Sequence, residues 1–304
     1  MWILVAMAAP ILFSASSFID KYLLSKYFKK GGAAGALMIF SAFIGLFLLP
    51  VIYLIQPSAV QIAPYAALVI IFNGFLYVFS LVPYLYALEK SESSIVIPLF
   101  QLIPVFTYIL GYLFLGEVLS FKQIIASLLI IFGAFGLSFD YGSKGLIFKK
   151  RVLGLMVFSC LLVSFNVVIF KAIAIREDFL TTSFWEYMGF ALSGIFMFAF
   201  IPSYRRQFLS LIKRRTTFMV GINAFNELIN IVAKIIMNFA ALFIPVALVS
   251  VIGGLQPFFI FIMGAGLTVF FPNLIKENIE KKYLVQKAVS IALMFAGTLT
   301  ISLK

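Results

Sequence analysis

Ten stretches of roughly twenty apolar residues follow one another along this 304-residue chain, at 2–22, 33–55, 64–88, 93–115, 121–140, 152–172, 181–202, 217–241, 245–271 and 283–303. A bilayer core about 30 Å thick takes roughly 20 helical residues at 1.5 Å each, so every stretch predicts one membrane crossing. The stretches are continuous rather than alternating, which excludes a β-barrel. Turn and charge punctuation separates them, as in "FKKGG" at Phe28 to Gly32 and "EKSESS" at Glu89 to Ser94, and no connection is long enough to be a domain. The first run lacks a basic n-region and a small-residue cleavage site, so it reads as a retained signal-anchor helix. With 63% hydrophobic and 11% charged residues, the chain has too little polar surface to be a soluble or disordered protein.

Charge gives the expected orientation. Of 23 Lys and Arg, 18 fall in connections after odd-numbered runs, including Lys29, Lys30, Lys149, Lys150, Arg151, Arg205, Arg206 and Lys213. By the positive-inside rule these connections are cytoplasmic and both termini lie outside. The net charge of +12 is thereby accounted for with no nucleic-acid partner. One Cys, Cys160, forms no internal disulfide, and the absence of His removes the commonest metal ligand; no metal and no cofactor are expected.

The chain also repeats itself. A shift of 153 residues aligns Asn73 with Asn226, Leu102 with Leu255, Pro104 with Pro257 and Gly111 with Gly264, and shifts of 150 to 152 align Lys21 with Lys171 and Pro50 with Pro202. Five helices per half is an odd number, so the second half enters the membrane in the opposite sense. The expected fold is therefore all-α and integral to the membrane, with ten transmembrane helices as two inverted five-helix repeats over 1–140 and 152–304. Inverted repeats are the architecture of secondary transporters, which expose a site between the halves to each side in turn.

The segment from Ser93 to Leu137 carries a Pro in the fourth helix (Pro104), a Leu-Gly-Glu ending (Leu115, Gly116, Glu117) and a Gly-bearing fifth helix (Gly133, Gly136). It resembles the drug/metabolite transporter superfamily, EamA type, as does the opening "ILFSASSFIDKYLLSKYF". The resemblance covers essentially the whole chain, and ten helices in two five-helix repeats is that family's plan. Two departures stand out. Phe270 occupies the place of the Leu-Gly-Glu carboxylate in the second half, and the family is usually drawn with both termini in the cytoplasm.

Polar residues inside apolar runs mark the candidate site, because a charged side chain at helix centre costs roughly 2.5–3.5 kcal/mol unless it faces a bundle interior or a water-filled cavity. In the eighth run Asn223, Glu227, Asn230, Lys234 and Asn238 form one stripe, with Asn226 at its edge. The third run answers with Asn73, Tyr77, Ser80 and Tyr84. Two such faces predict a polar cavity between the halves, although interhelical hydrogen bonds that only hold the bundle together would give the same pattern. Glu227 and Lys234 could take opposite ends of a zwitterionic substrate; Lys234 could instead attract an anion while Glu227 carries a coupling proton; or each could simply be paired with a neighbouring helix. Glu186 is the other intramembrane carboxylate and a second candidate for coupling. Gln101, Gln256, Ser14 and Asn166 are expected along the same substrate path, and Pro98, Pro104, Gly253, Gly254 and Pro257 as hinges in the fourth and ninth runs.

The function expected is secondary transport of a small polar metabolite, an amino acid or similar, by alternating access with proton coupling or exchange. The rival readings are a channel or facilitator and, further off, a membrane-embedded enzyme, which would need paired acids or a nucleophile with a base. The partners are the small-molecule substrate and the lipid bilayer, with a homodimer left open, and the expected location is a cell membrane of prokaryotic type, crossed many times.

Overall fold

The computed structural model describes residues 2–27, 34–90, 96–138, 150–214, 217–270 and 281–302. Ser94 and six of the 18 basic connecting residues used for orientation, Lys29, Lys30, Lys144, Lys149, Arg215 and Lys276, lie outside them. Among the described residues there is no strand, and every apolar run is helical. The helices are α1 (Trp2–Tyr27), α2 (Ala34–Ile55), α3 (Pro64–Lys90), α4 (Leu102–Leu115), α5 (Phe121–Ser138), α6 (Lys150–Ala174), α7 (Phe179–Phe200), α8 (Pro202–Arg214), α9 (Thr217–Ala240), α10 (Val246–Gly253), α11 (Gln256–Phe270) and α12 (Lys281–Ser302). Six stretches are long and apolar enough to cross a membrane: Met38–Ile55, Pro64–Ala87, Lys150–Ala174, Phe179–Phe200, Val220–Ala240 and Val246–Gly264. Four shorter apolar helices accompany them, at Leu4–Ile19, Leu99–Leu115, Phe121–Ala134 and Ala288–Thr300. Large apolar side chains such as Phe47, Leu54, Phe72, Phe132 and Phe200 are exposed, as an outer surface facing lipid requires.

The fourth and ninth runs are not the continuous helices the sequence predicts. In the fourth, a 3-10 turn over Ile97–Gln101, with Pro98 in its first turn, precedes α4. In the ninth, α10 ends at Gly253 and α11 starts at Gln256, with Pro257 as its second residue. Proline lacks the N–H an internal turn needs, so the fourth run passes from 3-10 to α-helix between Pro98 and Pro104, and the ninth breaks just before Pro257. A further helix, α8, occupies a connection read from sequence as a basic loop.

Packing places α5 against α12, α2 against α7, α3 against α6 and α7, α1 against α9 and α11, and α4 against α6 and α10. Two of these pairings matter most for the site. Asn73 and Gly74 put α3 beside α7, where a Cβ added at Gly189 would lie 2.3 Å from the Ile71 carbonyl oxygen and 3.0 Å from the Gly74 Cα. Only glycine at both positions allows backbones this close, which is how membrane helices associate without a hydrophobic driving force. The other is the α4–α10 contact, where Gln101 Nε2 donates to the Gly254 carbonyl at 3.3 Å, joining the two interruptions to each other.

Candidate functional site

Asp178 starts the construction of the site. Its carboxylate accepts from the Thr181 backbone N–H at 2.9 Å and so caps α7, fixing where that helix begins. Two turns on, Glu186 points into the bundle with 0% exposure. The glycine crossing with α3 brings Asn73 within reach from one side, α6 supplies Asn166 and α9 supplies Lys234 and Asn238.

These five side chains form one connected cluster. Glu186 Oε1 accepts from Asn73 Nδ2 at 3.1 Å and Asn166 Nδ2 at 2.9 Å, and lies 3.3 Å from Lys234 Nζ; Oε2 accepts from Asn238 Nδ2 at 3.3 Å. Asn73 and Asn166 each also donate to the other's backbone carbonyl at 3.1 Å, a reciprocal clasp between α3 and α6. Lys234 Nζ, on a residue 6% exposed, donates to Asn166 Oδ1 at 3.0 Å and sits 4.2 Å above the Tyr77 ring. That ring lies parallel to Phe190 at 5.0 Å, so the ammonium has a carboxylate, an amide oxygen and an aromatic face around it. The cluster carries one positive and one negative charge. Each ion taken from water costs several kcal/mol, and here the carboxylate is met by three amide donors and the ammonium by the carboxylate, an amide oxygen and a ring face.

The predicted stripe on α9 therefore divides. Lys234 and Asn238 join the Glu186 cluster, whereas Glu227 accepts from the Ser41 hydroxyl of α2. Asn223, 4% exposed, has neither its Nδ2 nor its Oδ1 bonded to protein. Asn226 is fully buried and Asn230 half-buried on the same helix. On α3, Ser80 donates to the Tyr77 carbonyl and its own carbonyl accepts from Ser159 at 2.8 Å, while Tyr84 packs against Phe100 at 4.9 Å. Ser14 and Gln256 bind each other's helices instead of the cluster: Ser14 donates to the Gln256 carbonyl at 3.1 Å, and Gln256 donates to Ser17 Oγ at 3.0 Å. Pro104 and Pro257 are both buried at the starts of α4 and α11.

Sequence reasoning missed the Lys234–Glu186 pairing. The available signal was the count of membrane-embedded charges: one Lys and two Glu deep in the runs, so that one of the carboxylates had to answer the lysine.

The Leu-Gly-Glu ending has a mechanical role. Gly116 closes α4 in the left-handed region at φ 65°, and this turn aims Glu117 at the second half of the chain. Glu117 Oε1 pairs with Lys171 Nζ at 2.5 Å, Oε2 accepts from the Val246 N–H at 2.8 Å, and Lys171 also donates to the Ile244 carbonyl at 2.9 Å. A carboxylate on the α4–α5 connection thus caps the start of α10. Glu117→Ala should lower stability by about 1–2 kcal/mol, through the lost cap and the unpaired lysine. Thermal unfolding of the purified protein checks this, with Glu117→Gln expected to fall between the two.

Residues 1–139 match the sequence profile of the EamA-like transporter family. No curated protein matches the chain. A solved crystal structure, titled only as that of a protein, shares the fold at a TM-score of 0.64, with 16% identity over 99% of this chain and 96% of that one. The chain is a multi-pass membrane protein, all-helical among the described residues, whose residues 1–139 are similar to the EamA-like transporter family.

Proposed function

We propose that the protein is a secondary carrier that moves a small polar metabolite, an amino acid or similar, across the membrane by alternating access. The observation that carries this reading is the buried Glu186–Lys234 cluster, a charged and amide-rich centre held at membrane depth by α3, α6, α7 and α9. Charged residues so placed face substrate or ion pathways far more often than lipid. Asn73 Oδ1, the Tyr187 hydroxyl and both ends of the Asn223 amide are buried polar atoms with no protein partner, and they are the groups a substrate's donors and acceptors would engage.

The helix pairings support ten crossings in two inverted repeats, 1–140 and 152–304. Numbering the crossings one to ten, with α10 and α11 together as the ninth, and exchanging each for the one five places on turns the α3–α6 contact into α9–α1. The same exchange turns α4–α6 into the contact of the ninth crossing with α1, and leaves α2–α7, α4–α10 and α5–α12 unchanged. Gln101 and Gly254 stand 153 residues apart, the repeat interval, and touch. A contact between repeat-related residues marks the axis relating the halves, and interrupted helices on such an axis are where carriers bend.

Counterflow in proteoliposomes loaded from a metabolite library tests the proposal. Trans substrate should accelerate uptake; no acceleration together with a current linear in voltage would identify a channel instead. Within the carrier, Glu227→Gln separates the two candidate coupling groups. If Glu227 carries the proton, exchange persists in the variant while uptake driven by a pH gradient falls at least tenfold; retained gradient-driven uptake transfers the role to Glu186.

A further inference from the structure

Helix α8 is amphipathic and too short to cross a bilayer, its thirteen residues rising about 20 Å. It follows directly on the membrane helix α7, which places it at a membrane surface. Its inner face is fixed to the bundle. Phe208 is buried edge-on to Phe43 and Phe198 at 5.8 and 6.0 Å, and Gln207 Oε1 accepts from the Gly35 backbone N–H at 3.1 Å. The side chains flanking this contact are exposed. Leu209 and Ile212, three residues apart, are 39% and 48% exposed, and Arg206 is exposed beside them. Phe196 and Phe200, at the end of α7, are exposed as well. From Tyr187 to Asn226 the sequence holds no acidic residue, yet it carries Arg205, Arg206, Lys213, Arg214 and Arg215.

We propose that the outer face of α8 docks on anionic phospholipid, with Leu209 and Ile212 entering the boundary between headgroups and acyl chains and the arginines taking lipid phosphates. An exposed apolar edge on a helix that follows directly on a membrane helix, in a stretch carrying arginines and no acidic residue, matches a negatively charged leaflet in both respects. Arginine's planar fork suits phosphate, which it binds through two parallel hydrogen bonds. The lipid-bound helix would also hold the α2–α7 pair, because Phe208 and Gln207 join it to both. This proposal stands independently of the transport reading.

The sole native cysteine, Cys160, is buried, so introduced cysteines label cleanly. Ile212→Cys and Ser210→Cys, each carrying a bimane, are reconstituted as full-length protein in vesicles of phosphatidylcholine and phosphatidylglycerol in which one lipid or the other is brominated. The bimane at 212 is expected to be quenched strongly and that at 210 weakly. Brominated phosphatidylglycerol should quench the 212 label several-fold more per mole than brominated phosphatidylcholine. Arg205→Gln with Arg206→Gln should bring that preference down to near parity, since one arginine on a phosphate accounts for about fivefold, whereas Lys at both positions should keep most of it. Equal quenching by the two lipids in the parent overturns recognition of charge. A 212 label that neither lipid quenches overturns the docking altogether and shows the face covered by protein.

Discussion

Lys234→Ala should lower the stability of the purified protein by about 3–5 kcal/mol, the cost of leaving one member of a buried ion pair without its partner. The orphan would be Glu186, which is fully buried and would keep only the amide donors of Asn73, Asn166 and Asn238 around a full negative charge. Lys234→Met with Glu186→Gln removes both charges at nearly constant volume and should recover most of the loss, since a well-packed neutral pair often matches a buried ionic one. Under the carrier proposal neither variant transports. Thermal unfolding separates folding from function: a stable double variant without uptake places the pair in the transport cycle, and one that transports normally assigns it a holding role only. An unchanged melting temperature for Lys234→Ala would mean that the ammonium does not pair with Glu186 in the membrane. Glu227→Gln should be far milder, because the Ser41 hydroxyl that donates to Glu227 can donate equally to a glutamine oxygen.

The contrast between these two carboxylates measures how much of the site was legible beforehand. Hydropathy located the runs to within a few residues, because exclusion of polar groups from hydrocarbon acts on each segment separately. Helical periodicity put Asn223, Glu227, Asn230, Lys234 and Asn238 on one face, which is a property of one helix. Which helix would face them is a property of two. Glu186 is 48 residues from Lys234 in sequence, and only the packing of α7 and α9 around α3 and α6 joins them. The breaks in the fourth and ninth runs were signalled by Pro98, Pro104, Gly253 and Pro257, whose meaning is local. The surface helix α8 was missed because its many charges resemble a loop. Tyr204, Phe208, Leu211 and Ile212, spaced three, four and seven apart, carried the helical signal inside it.

The last large effect concerns how the cluster is placed rather than what it contains. Gly189→Val is expected to destabilise the protein by at least about 1–3 kcal/mol from overpacking alone. The clash is with main chain: a Cβ at Gly189 would meet the Ile71 carbonyl oxygen at 2.3 Å, and one at Gly74 would meet the Glu186 carbonyl oxygen at 2.5 Å. Backbone cannot rotate aside as a side chain can, so α3 and α7 must separate. Asn73 neighbours Gly74, and Glu186 lies one turn before Gly189, so the separation also pulls the Asn73 amide from the carboxylate and strains the Asn73–Asn166 clasp. Gly221→Ala on α9 is the matched comparison. Nothing lies within 4 Å of the added methyl there, and replacing a helical glycine by alanine should raise stability by about 0.5–1 kcal/mol. Melting temperatures of the two variants should therefore move in opposite directions. If Gly189→Val instead melts with the parent, the glycine crossing is not what holds Glu186 against α3, and the cluster must be positioned by Asn166 and Lys234 alone.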